Sequence, residues 1–302
     1  MKRPIEGGVS FVVPVYNKAP WLARVLEQLA RQRGDFEREF IFVDDGSTDE
    51  SLAVLTEATK GWPDVTILTQ PNKGPSHATN RGIERARMPF IKFCDADDLL
   101  CDDATGALLR ALTAHQEAVL AYGDARIYDD VTRLDLEADL ESSSVQIFDR
   151  PLRRLLRNNF GGPTYTLMRT AAVLACGGCD ERVPLTQDYS LALRMTLEGA
   201  FLHLEAPVAF LPRFAPGRLG DDKARETRDT ITSLALFLAD HPDLPWRLKQ
   251  FACRRVAGRC RRFVTRHRRS GLAAATRLYW RAHLPVLRDH ADFIKRCAQI
   301  VR

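Results

Sequence analysis

The stretch Phe90-Ile91-Lys92-Phe93-Cys94-Asp95-Ala96-Asp97-Asp98 changes from apolar to acidic within a few residues. Its apolar part predicts a buried strand. The carboxyl end of such a strand lies at the rim of an α/β sheet, where ligands usually bind. Carboxylates this close together repel one another unless a positive charge lies between them. We therefore expect a divalent metal and a phosphorylated ligand at this edge.

Strands and helices alternate through the first 124 residues. Runs of β-branched and aromatic residues predict strands, and apolar residues at helical spacing predict helices between them. The alternation predicts an α/β fold with a mostly parallel sheet flanked by helices. Three of the predicted strands end in polar segments, at 14–17, 44–49 and 95–98. Because the carboxyl ends of parallel strands share one edge of the sheet, we expect these segments to converge on one site.

The remainder of the chain is less regular. Residues 128–144 are acidic and weakly periodic, which predicts an irregular excursion or an antiparallel strand pair. Short strands are predicted at 165–168, 201–204 and 208–211, and a helix at 187–199. Everything after residue 221 reads as helical. We therefore predict one domain over 1–218, with halves at about 9–124 and 125–218, and a helical region at 219–302.

Composition is that of a soluble globular protein. The chain has 302 residues, of which 45% are hydrophobic and 27% charged. We find no secretory signal and no apolar run of 18 residues, so we expect a cytoplasmic protein. Seven scattered cysteines are expected to be reduced thiols. The pair Cys176 and Cys179 is read as buried thiols rather than as a redox pair or half of a zinc site.

Five segments resemble, in order and spacing, the motifs of the family 2 glycosyltransferases. The segments are 12–17, 43–49, 72–82, 95–98 and 177–194, and the resemblance covers about residues 9–215. It implies a GT-A (Rossmann-like) fold and inverting transfer of a sugar from a nucleoside diphosphate donor. It also implies Mg²⁺ or Mn²⁺ as a cofactor, a nucleotide-binding half at about 9–124 and an acceptor half at 125–218.

The resemblance assigns the nucleoside pocket to the first two motifs. Pro14 and Tyr16 would line it, and Asp45, rather than Asp44, would accept a hydrogen bond from the base. A carboxylate suits the N–H of uracil, which favours a UDP-sugar. The alternative is that these two carboxylates only cap the turn that follows the strand.

The resemblance also assigns the chemistry. Asp95 and Asp97 match the DxD-type motif, with Asp95 contacting the ribose or a metal-bound water and Asp97 ligating the metal. Asp188 matches the catalytic carboxylate, which would take a proton from the acceptor hydroxyl. An N-cap role for Asp188 is the alternative.

Several positions depart from the family pattern. Gln187 stands where a glutamate is usual, and Thr79 stands where an arginine usually contacts the base or phosphate. Asn80 keeps its place in that motif, and Arg81 is the candidate substitute for the arginine. The histidine of the usual diphosphate-closing loop is absent, and Arg213, together with Arg218, could neutralise phosphate there.

These departures leave two other functions open. One is a degenerate GT-A domain that binds nucleotide or supports a complex without catalysis. The other is a metal-dependent nucleotidyltransferase, which would also use carboxylates and a metal and would release pyrophosphate.

Charge is concentrated at the carboxyl end. Residues 240–302 contain 16 Lys and Arg against 4 Asp and Glu, a net charge of +12 in a chain of net charge +5, so the remainder carries −7. Eight arginines lie between Arg254 and Arg269. This pattern predicts either peripheral docking on an anionic membrane, which suits a lipid-linked acceptor, or a solvated helical bundle. Nucleic-acid binding is not expected, because the sequence contains no recognised nucleic-acid module. A glycan or lipid-linked acceptor in polysaccharide biosynthesis is the expected partner.

Overall fold

A computed structural model describes residues 7–157, 162–183, 185–214, 222–267, 270–284 and 287–301. These residues form one mixed sheet with helices on both faces. The strands are β1 (Gly8–Val15), β2 (Glu37–Asp44), β3 (Val65–Thr69), β4 (Phe90–Phe93), β5 (Leu99–Leu100), β6 (Ala118–Tyr128), β7 (Val145–Phe148), β8 (Thr166–Arg169) and β9 (Ala200–Pro212). The helices are α1 (Ala19–Ala30), α2 (Ser51–Ala58), α3 (Pro75–Ile83), α4 (Ala104–Ala114), α5 (Pro151–Arg157), α6 (Thr170–Ala175), α7 (Gln187–Met195), α8 (Lys223–Asp240), α9 (Trp246–Arg266), α10 (Leu272–Arg281) and α11 (His290–Ile300).

The sheet is parallel in its first half and mixed in its second. The strand order is β3-β2-β1-β4-β8-β6-β9-β5, with β7 also paired to β9. Strands β1 to β4 are parallel, as predicted. Strand β8 runs antiparallel to both β4 and β6, whereas β6 and β9 are parallel. Because β8 opposes β4, it begins at the edge where β4 ends, and the loop that precedes it lies at that edge.

The pairing register of β1 with β2 and β4 places the polar segments that follow these strands at the same height in the sheet. Val15 lies opposite Asp44, and Val12 lies opposite Phe93. The amide of Asp45 donates to the Val15 carbonyl at 2.8 Å, and that of Cys94 donates to the Val12 carbonyl at 3.0 Å. The ends of β1, β2 and β4 therefore meet at one edge, as the sequence predicts.

Apolar side chains form three clusters. One packs α1 and α4 against one face of the sheet, and the second packs α3, α6 and α7 against the other face. The third joins α5 and α7 to the four helices α8 to α11. Helix α7 contributes Leu191 to the second cluster and Leu193 to the third. It is therefore packed between the sheet and the carboxyl-terminal helices.

Some elements differ from the prediction. The two short strands expected at 201–204 and 208–211 are one strand, β9, because irregularities in its pairing with β6 let both segments pair with the same neighbour. Strand β5 and helix α6 were not predicted, since two and six residues are too short to show periodicity. The acidic excursion is irregular, with one 3₁₀ turn at Val131–Arg133 before β7.

Two further sequence-based expectations can be compared with the structure. All seven cysteines are free thiols, as predicted. Within the described ranges, no helix is both long enough and apolar enough to cross a lipid bilayer.

Candidate active site

The loops that follow β1 and β2 are tied together. The Asn17 amide donates to Ser47 Oγ at 3.0 Å, and the Lys18 amide donates to Ser51 Oγ at 2.8 Å. Asn17 Oδ1 accepts from the Thr48 amide at 2.8 Å. With the loops held in this way, the side chain of Tyr16 stays 45% exposed at the edge of the sheet. A ring in that position is free to contact a ligand.

The two carboxylates after β2 have different surroundings. Asp45 accepts three hydrogen bonds, from Gln70 Nε2 at 2.6 Å, the Lys73 amide at 2.9 Å and the Gly74 amide at 2.8 Å. Both of its oxygens are used to hold the loop before α3. Asp44 Oδ2 accepts from the Ser47 amide at 3.3 Å, whereas its buried Oδ1 has no hydrogen-bond partner among the described residues. Because burying an unpaired acceptor is costly, Asp44 Oδ1 is suited to accept a hydrogen bond from a ligand.

The acidic loop after β4 is organised by Thr164, which lies in the loop that leads to β8. Thr164 Oγ1 accepts from the Asp95 amide at 3.0 Å and donates to Asp98 Oδ2 at 2.8 Å. Its carbonyl accepts from Lys92 Nζ at 2.7 Å. Lys92 is fully buried, and burial lowers its pKa to about 8. The position of β8 therefore fixes the acidic loop through Thr164.

Asp97 forms an ion pair with a residue that the sequence did not single out. Lys18 Nζ lies 2.6 Å from Asp97 Oδ2, and both side chains are largely buried. The ammonium group supplies the positive charge that closely spaced carboxylates require. Lys18 directly follows the first motif, and this position is the one signal that could have identified it.

Asp188 lies in a small apolar pocket at the beginning of α7. The pocket holds about 20 Å³, room for one water molecule or methyl group. Its lining includes Pro14, Asp95 and Asp188, together with Thr79, Phe93, Leu120, Gly162, Pro163, Thr166, Met168, Cys179, Gln187, Leu191 and Ala192. The pocket therefore brings together residues from the first, third, fourth and fifth sequence motifs.

The environment of Asp188 changes its acidity. Part of the residue remains accessible, but the surrounding protein atoms desolvate the carboxyl group and raise its pKa to about 6. The amides of Tyr189 and Asp188 at the beginning of the helix oppose this effect, and the charge of Glu226 adds to it. A pKa near 6 gives a carboxylate that is ionised at neutral pH and is more basic than an ordinary aspartate. That is the property a general base needs.

The carboxyl-terminal helices support α7. Thr186 Oγ1 and Ser233 Oγ are 2.7 Å apart, which joins the beginning of α7 to α8. Tyr189 is buried, and burial raises its pKa to about 12 although a hydrogen bond with Arg259 of α9 opposes the shift. Helices α8 and α9 therefore help to hold the turn of helix that carries Asp188.

Asn80 is used to hold the turn before α7. Its Nδ2 donates to the Cys179 carbonyl at 3.0 Å and to Glu181 Oε1 at 2.9 Å, and its Oδ1 accepts from the Cys179 amide at 2.7 Å. Gly178 has a φ of +67°, and a Cβ there would lie 2.7 Å from Asn80 Oδ1. The ligand role predicted for Asn80 stays a prediction, and these contacts give it a positioning role.

Replacing Gly178 with alanine is expected to lower the free energy of unfolding by about 2 kcal/mol more than replacing Gly177, because it adds a steric clash to backbone strain. Gly177 is the matched control, since its φ is +77° but the nearest atom to a new Cβ is 3.9 Å away. Urea denaturation of the two variants measures the difference. Equal losses of stability would show that the Asn80 contact does not constrain this turn.

Three arginines were predicted to contact the base or the phosphates, and the two that the structure describes lie at different places. Arg81 donates to the Thr69 carbonyl at 3.0 Å and to Gln70 Oε1 at 3.2 Å, so it belongs to the network around Asp45. Arg213 is exposed and donates to Asp129 Oδ1 at 2.6 Å. Arg218 lies outside the described residues. Arg81 is therefore linked to Asp45 by way of Gln70. Arg213, which follows β9, is paired with Asp129 instead.

The acidic loop fits a metal only in part. No group of three His, Cys, Asp or Glu in the part of the chain that the structure describes could hold a metal ion by itself. Mg²⁺ is commonly bound by one or two carboxylates together with the phosphates of a substrate. Asp97, whose carboxylate already holds a cation, fits that mode.

Three residues that organise the site were not predicted. Lys18, Gln70 and Thr164 each act through a partner distant in the sequence. Thr164 and Gln70 carry no local signal, because their roles depend on how β8 and the loop before α3 lie in the fold.

Comparison with known proteins finds a matching family profile and similar chains. The sequence profile described as "Glycosyl transferase family 2" matches residues 10–176, more than half of the chain. A chondroitin synthase from Escherichia coli is 26% identical over 210 residues, which cover 65% of this chain. The chain spans only 27% of the length of that relative.

Solved structures are similar in fold. TarS 1–349 of S. aureus, in complex with UDP-GlcNAc, aligns with a TM-score of 0.65 at 17% identity, covering 91% of this chain and 79% of that one. The mannosyltransferase PcManGT from Pyrobaculum calidifontis, in complex with GDP-Man and Mn²⁺, aligns with a TM-score of 0.55 at 16% identity, covering 99% and 88% of the two chains. Both likenesses support the GT-A fold predicted from the sequence.

Proposed function

Because the chain belongs to glycosyl transferase family 2, we propose that it transfers a sugar from a nucleoside diphosphate sugar to an acceptor hydroxyl with inversion at the anomeric carbon. One observation carries the proposal. Asp188, with its pKa raised to about 6, lines one pocket with Asp95 and Pro14 at the carboxyl edge of the sheet. The proposed base, Asp188, and the carboxylate predicted to contact the donor, Asp95, thus line the same apolar pocket.

In this mechanism Asp188 is the general base. At neutral pH its carboxylate takes the proton of the acceptor hydroxyl while the oxygen attacks the anomeric carbon from the face opposite the departing nucleotide. The new glycosidic bond forms as the bond to the diphosphate breaks, and the proton remains on Asp188 until solvent removes it. Bound donor and acceptor would displace water from the apolar lining, which disfavours hydrolysis of the donor.

The donor half is assigned to residues 9–124 and the acceptor half to 125–218, with the helical region at 219–302. Tyr16 and Pro14 would contact the nucleoside, and Arg81 would lie near the base. The sequence predicts Asp45 as the acceptor for a base N–H, but both of its oxygens hold the loop before α3. We assign this role instead to Asp44 Oδ1, the buried acceptor without a partner among the described residues. A carboxylate acceptor matches the N–H of uracil, so a UDP-sugar is the favoured donor.

Asp97 and Asp95 would hold Mg²⁺ or Mn²⁺ together with the donor diphosphate. The metal would supply positive charge to the departing nucleotide. Lys18 Nζ donates to Asp97 Oδ2 at 2.6 Å, so a metal held through this oxygen would have to displace the ammonium group. Metal and lysine therefore compete for Asp97.

Replacing Lys18 with methionine is expected to tighten Mn²⁺ binding without nucleotide by roughly tenfold. A hydrogen bond to a charged group contributes about 1.5–3 kcal/mol, and this bond must be broken before a metal can use that oxygen. Electron paramagnetic resonance titration of free Mn²⁺ measures the change. An unchanged dissociation constant would show that Lys18 does not compete with the metal.

The acceptor is proposed to be a hydroxyl of a glycan or of a lipid-linked sugar, in polysaccharide synthesis. The similarity to a relative named as a chondroitin synthase supports this class. The cytoplasmic location expected from the sequence stays a prediction.

A panel of nucleotides tests the proposal. Thermal shifts are measured with UDP, GDP, CDP and dTDP, each with Mn²⁺ or with EDTA. A hundredfold excess of ligand over its dissociation constant stabilises the folded state by about 2.7 kcal/mol. We expect a metal-dependent shift with UDP. No shift with any nucleotide would favour a degenerate domain without a donor site.

A further inference from the structure

Helix α10 and the turn after it present an unusual surface to solvent. Trp280 is 65% exposed and Leu284 is 53% exposed. Ala275 and Ala282 are buried on the opposite side of the helix, so the spacing of Arg277, Trp280 and Leu284 places these three side chains on the solvent face. We call this surface, formed by α10, Leu284 and the adjoining side of α11, the α10–α11 face.

The α10–α11 face is also basic. A groove between the two helices is lined by Arg277, Arg281 and Arg296 together with Ile300. Arg296 pairs with Asp292 at 2.8 Å. Arg277 and Arg281 form no ion pair with any residue that the structure describes, so their charges are available to an anionic partner.

Several arginines of the basic run between Arg254 and Arg269 contact neighbouring helices. In α9, Arg255 and Arg259 both donate to the Arg157 carbonyl at the end of α5, at 2.6 and 3.0 Å. Arg254 donates to the Ala282 carbonyl at 3.3 Å, and Arg261 lies over the Tyr279 ring. These four side chains join helices. Arg262 and Arg266 of α9 are also exposed. The basic surface that lies beside an exposed tryptophan and an exposed leucine is on α10 and α11.

We propose that the α10–α11 face docks on an anionic lipid membrane. Tryptophan prefers the level of the lipid headgroups, where its ring is buried and its N–H stays hydrated. Unpaired guanidinium groups beside it match the phosphates of anionic lipids. A face that combines an exposed tryptophan, an exposed leucine and unpaired arginines fits such a surface better than it fits water or a neutral protein. This inference concerns a different surface from the proposed catalytic site and goes beyond it.

Vesicle co-sedimentation of the full chain tests the inference. The vesicles are phosphatidylcholine alone, or phosphatidylcholine with a third of phosphatidylglycerol. We expect binding to the anionic vesicles, and a roughly thirtyfold weaker partition for the Arg277→Gln, Arg281→Gln variant, because each basic residue near the surface contributes about 1 kcal/mol. The control variant is Arg24→Gln, Arg85→Gln, which makes the same charge change at exposed arginines elsewhere and should bind as the wild type does.

Tryptophan fluorescence provides a second readout. Anionic vesicles should shift the emission of the wild type to the blue, and Trp280→Phe should abolish the shift while nucleotide-induced thermal shifts stay unchanged. Equal weakening by both double variants, or equal binding to neutral and anionic vesicles, would overturn the inference. Binding of an RNA or DNA oligonucleotide that depends on Arg277 and Arg281, without vesicle binding, would overturn it in favour of a nucleic-acid surface.

Discussion

Replacing Asp188 with asparagine is expected to lower kcat by about a thousandfold, with little change in the affinity for the donor. General base catalysis by a positioned side chain contributes about 10²–10⁴-fold, and asparagine keeps the shape of the side chain but cannot accept the proton. Steady-state kinetics with saturating donor measure the loss. Unchanged activity would show that Asp188 is not the base.

The pH profile identifies the same group. Because the base must be ionised, the wild-type rate should fall as the pH falls through about 6, the value to which burial raises the pKa of Asp188. Gln187→Glu is a matched variant that places a second carboxylate beside Asp188. A neighbouring negative charge raises the pKa further, so the acid limb of its profile should move to higher pH. An acid limb that stays in place would contradict the assignment.

The Asp188→Asn variant, although less active, should have a higher free energy of unfolding than the wild type at alkaline pH. The pKa of Asp188 in the folded state is about 6, above its usual value of 3.8. The contribution of this group to folding stability is therefore fully present below pH 3.8 and is lost as the pH rises through about 6. At pH 8 the wild type therefore carries a buried charge that asparagine lacks. A rise in pKa from 3.8 to about 6 corresponds to about 3 kcal/mol, at about 1.4 kcal/mol per pKa unit, and the partial exposure of Asp188 reduces this value. We therefore expect Asp188→Asn to be more stable there by roughly 2 kcal/mol. Simple loss of fold would lower stability instead.

Replacing Asp97 with asparagine is expected to weaken metal-dependent binding of the donor nucleotide by roughly a hundredfold. An amide is a poorer ligand for a hard divalent cation than a carboxylate, and charge-assisted contacts are about twice as strong as neutral ones. Calorimetric titration of nucleoside diphosphate with Mn²⁺ and with EDTA measures the effect. The residual affinity in EDTA should match that of the wild type.

A surface carboxylate serves as the control for Asp97. Asp130→Asn removes one negative charge at an exposed turn, where Asp130 accepts from Thr132. Its nucleotide binding should be unchanged with and without metal. If Asp97→Asn bound nucleotide as tightly as the wild type and with the same metal dependence, the metal assignment would be wrong.

Local patterns were sufficient to predict the first half of the sheet. Strands β1 to β4 are short apolar runs that end in polar motifs, and parallel strands necessarily bring those motifs to one edge. The convergence of Asp44, Asp45, Asp95 and Asp97 on that edge was therefore predictable. Asp188 was predicted from the family resemblance instead, because the motif that contains it is a continuous stretch of sequence.

The remaining features depend on pairing between distant segments. Strand β8 lies between β4 and β6 in the opposite direction, and only that placement brings Thr164 to Asp95 and Asp98. The direction of a four-residue strand cannot be read from its own sequence. Lys18 reaches Asp97 across 79 positions, which likewise requires the folded sheet.

Charge patterning predicted the carboxyl-terminal region in outline but not which residues are used. The sequence shows a run of arginines in α9, yet several of them donate to backbone carbonyls of other helices. Hydrogen bonding between helices decides which charges remain available, and helix packing is not visible in composition. Helix α10 contains fewer arginines than α9, and its Arg277 and Arg281 form no ion pair with any described residue.

The stereochemistry of the product tests the central claim most directly. The chain is incubated with Mn²⁺, an α-linked nucleotide sugar whose nucleoside diphosphate binds, and a panel of sugar acceptors. Phosphorus and proton NMR then identify the released nucleotide and the configuration of the new bond. The account predicts release of the nucleoside diphosphate and a β-linked product, with neither formed by Asp188→Asn. A product that keeps the α configuration, or release of pyrophosphate, would contradict it.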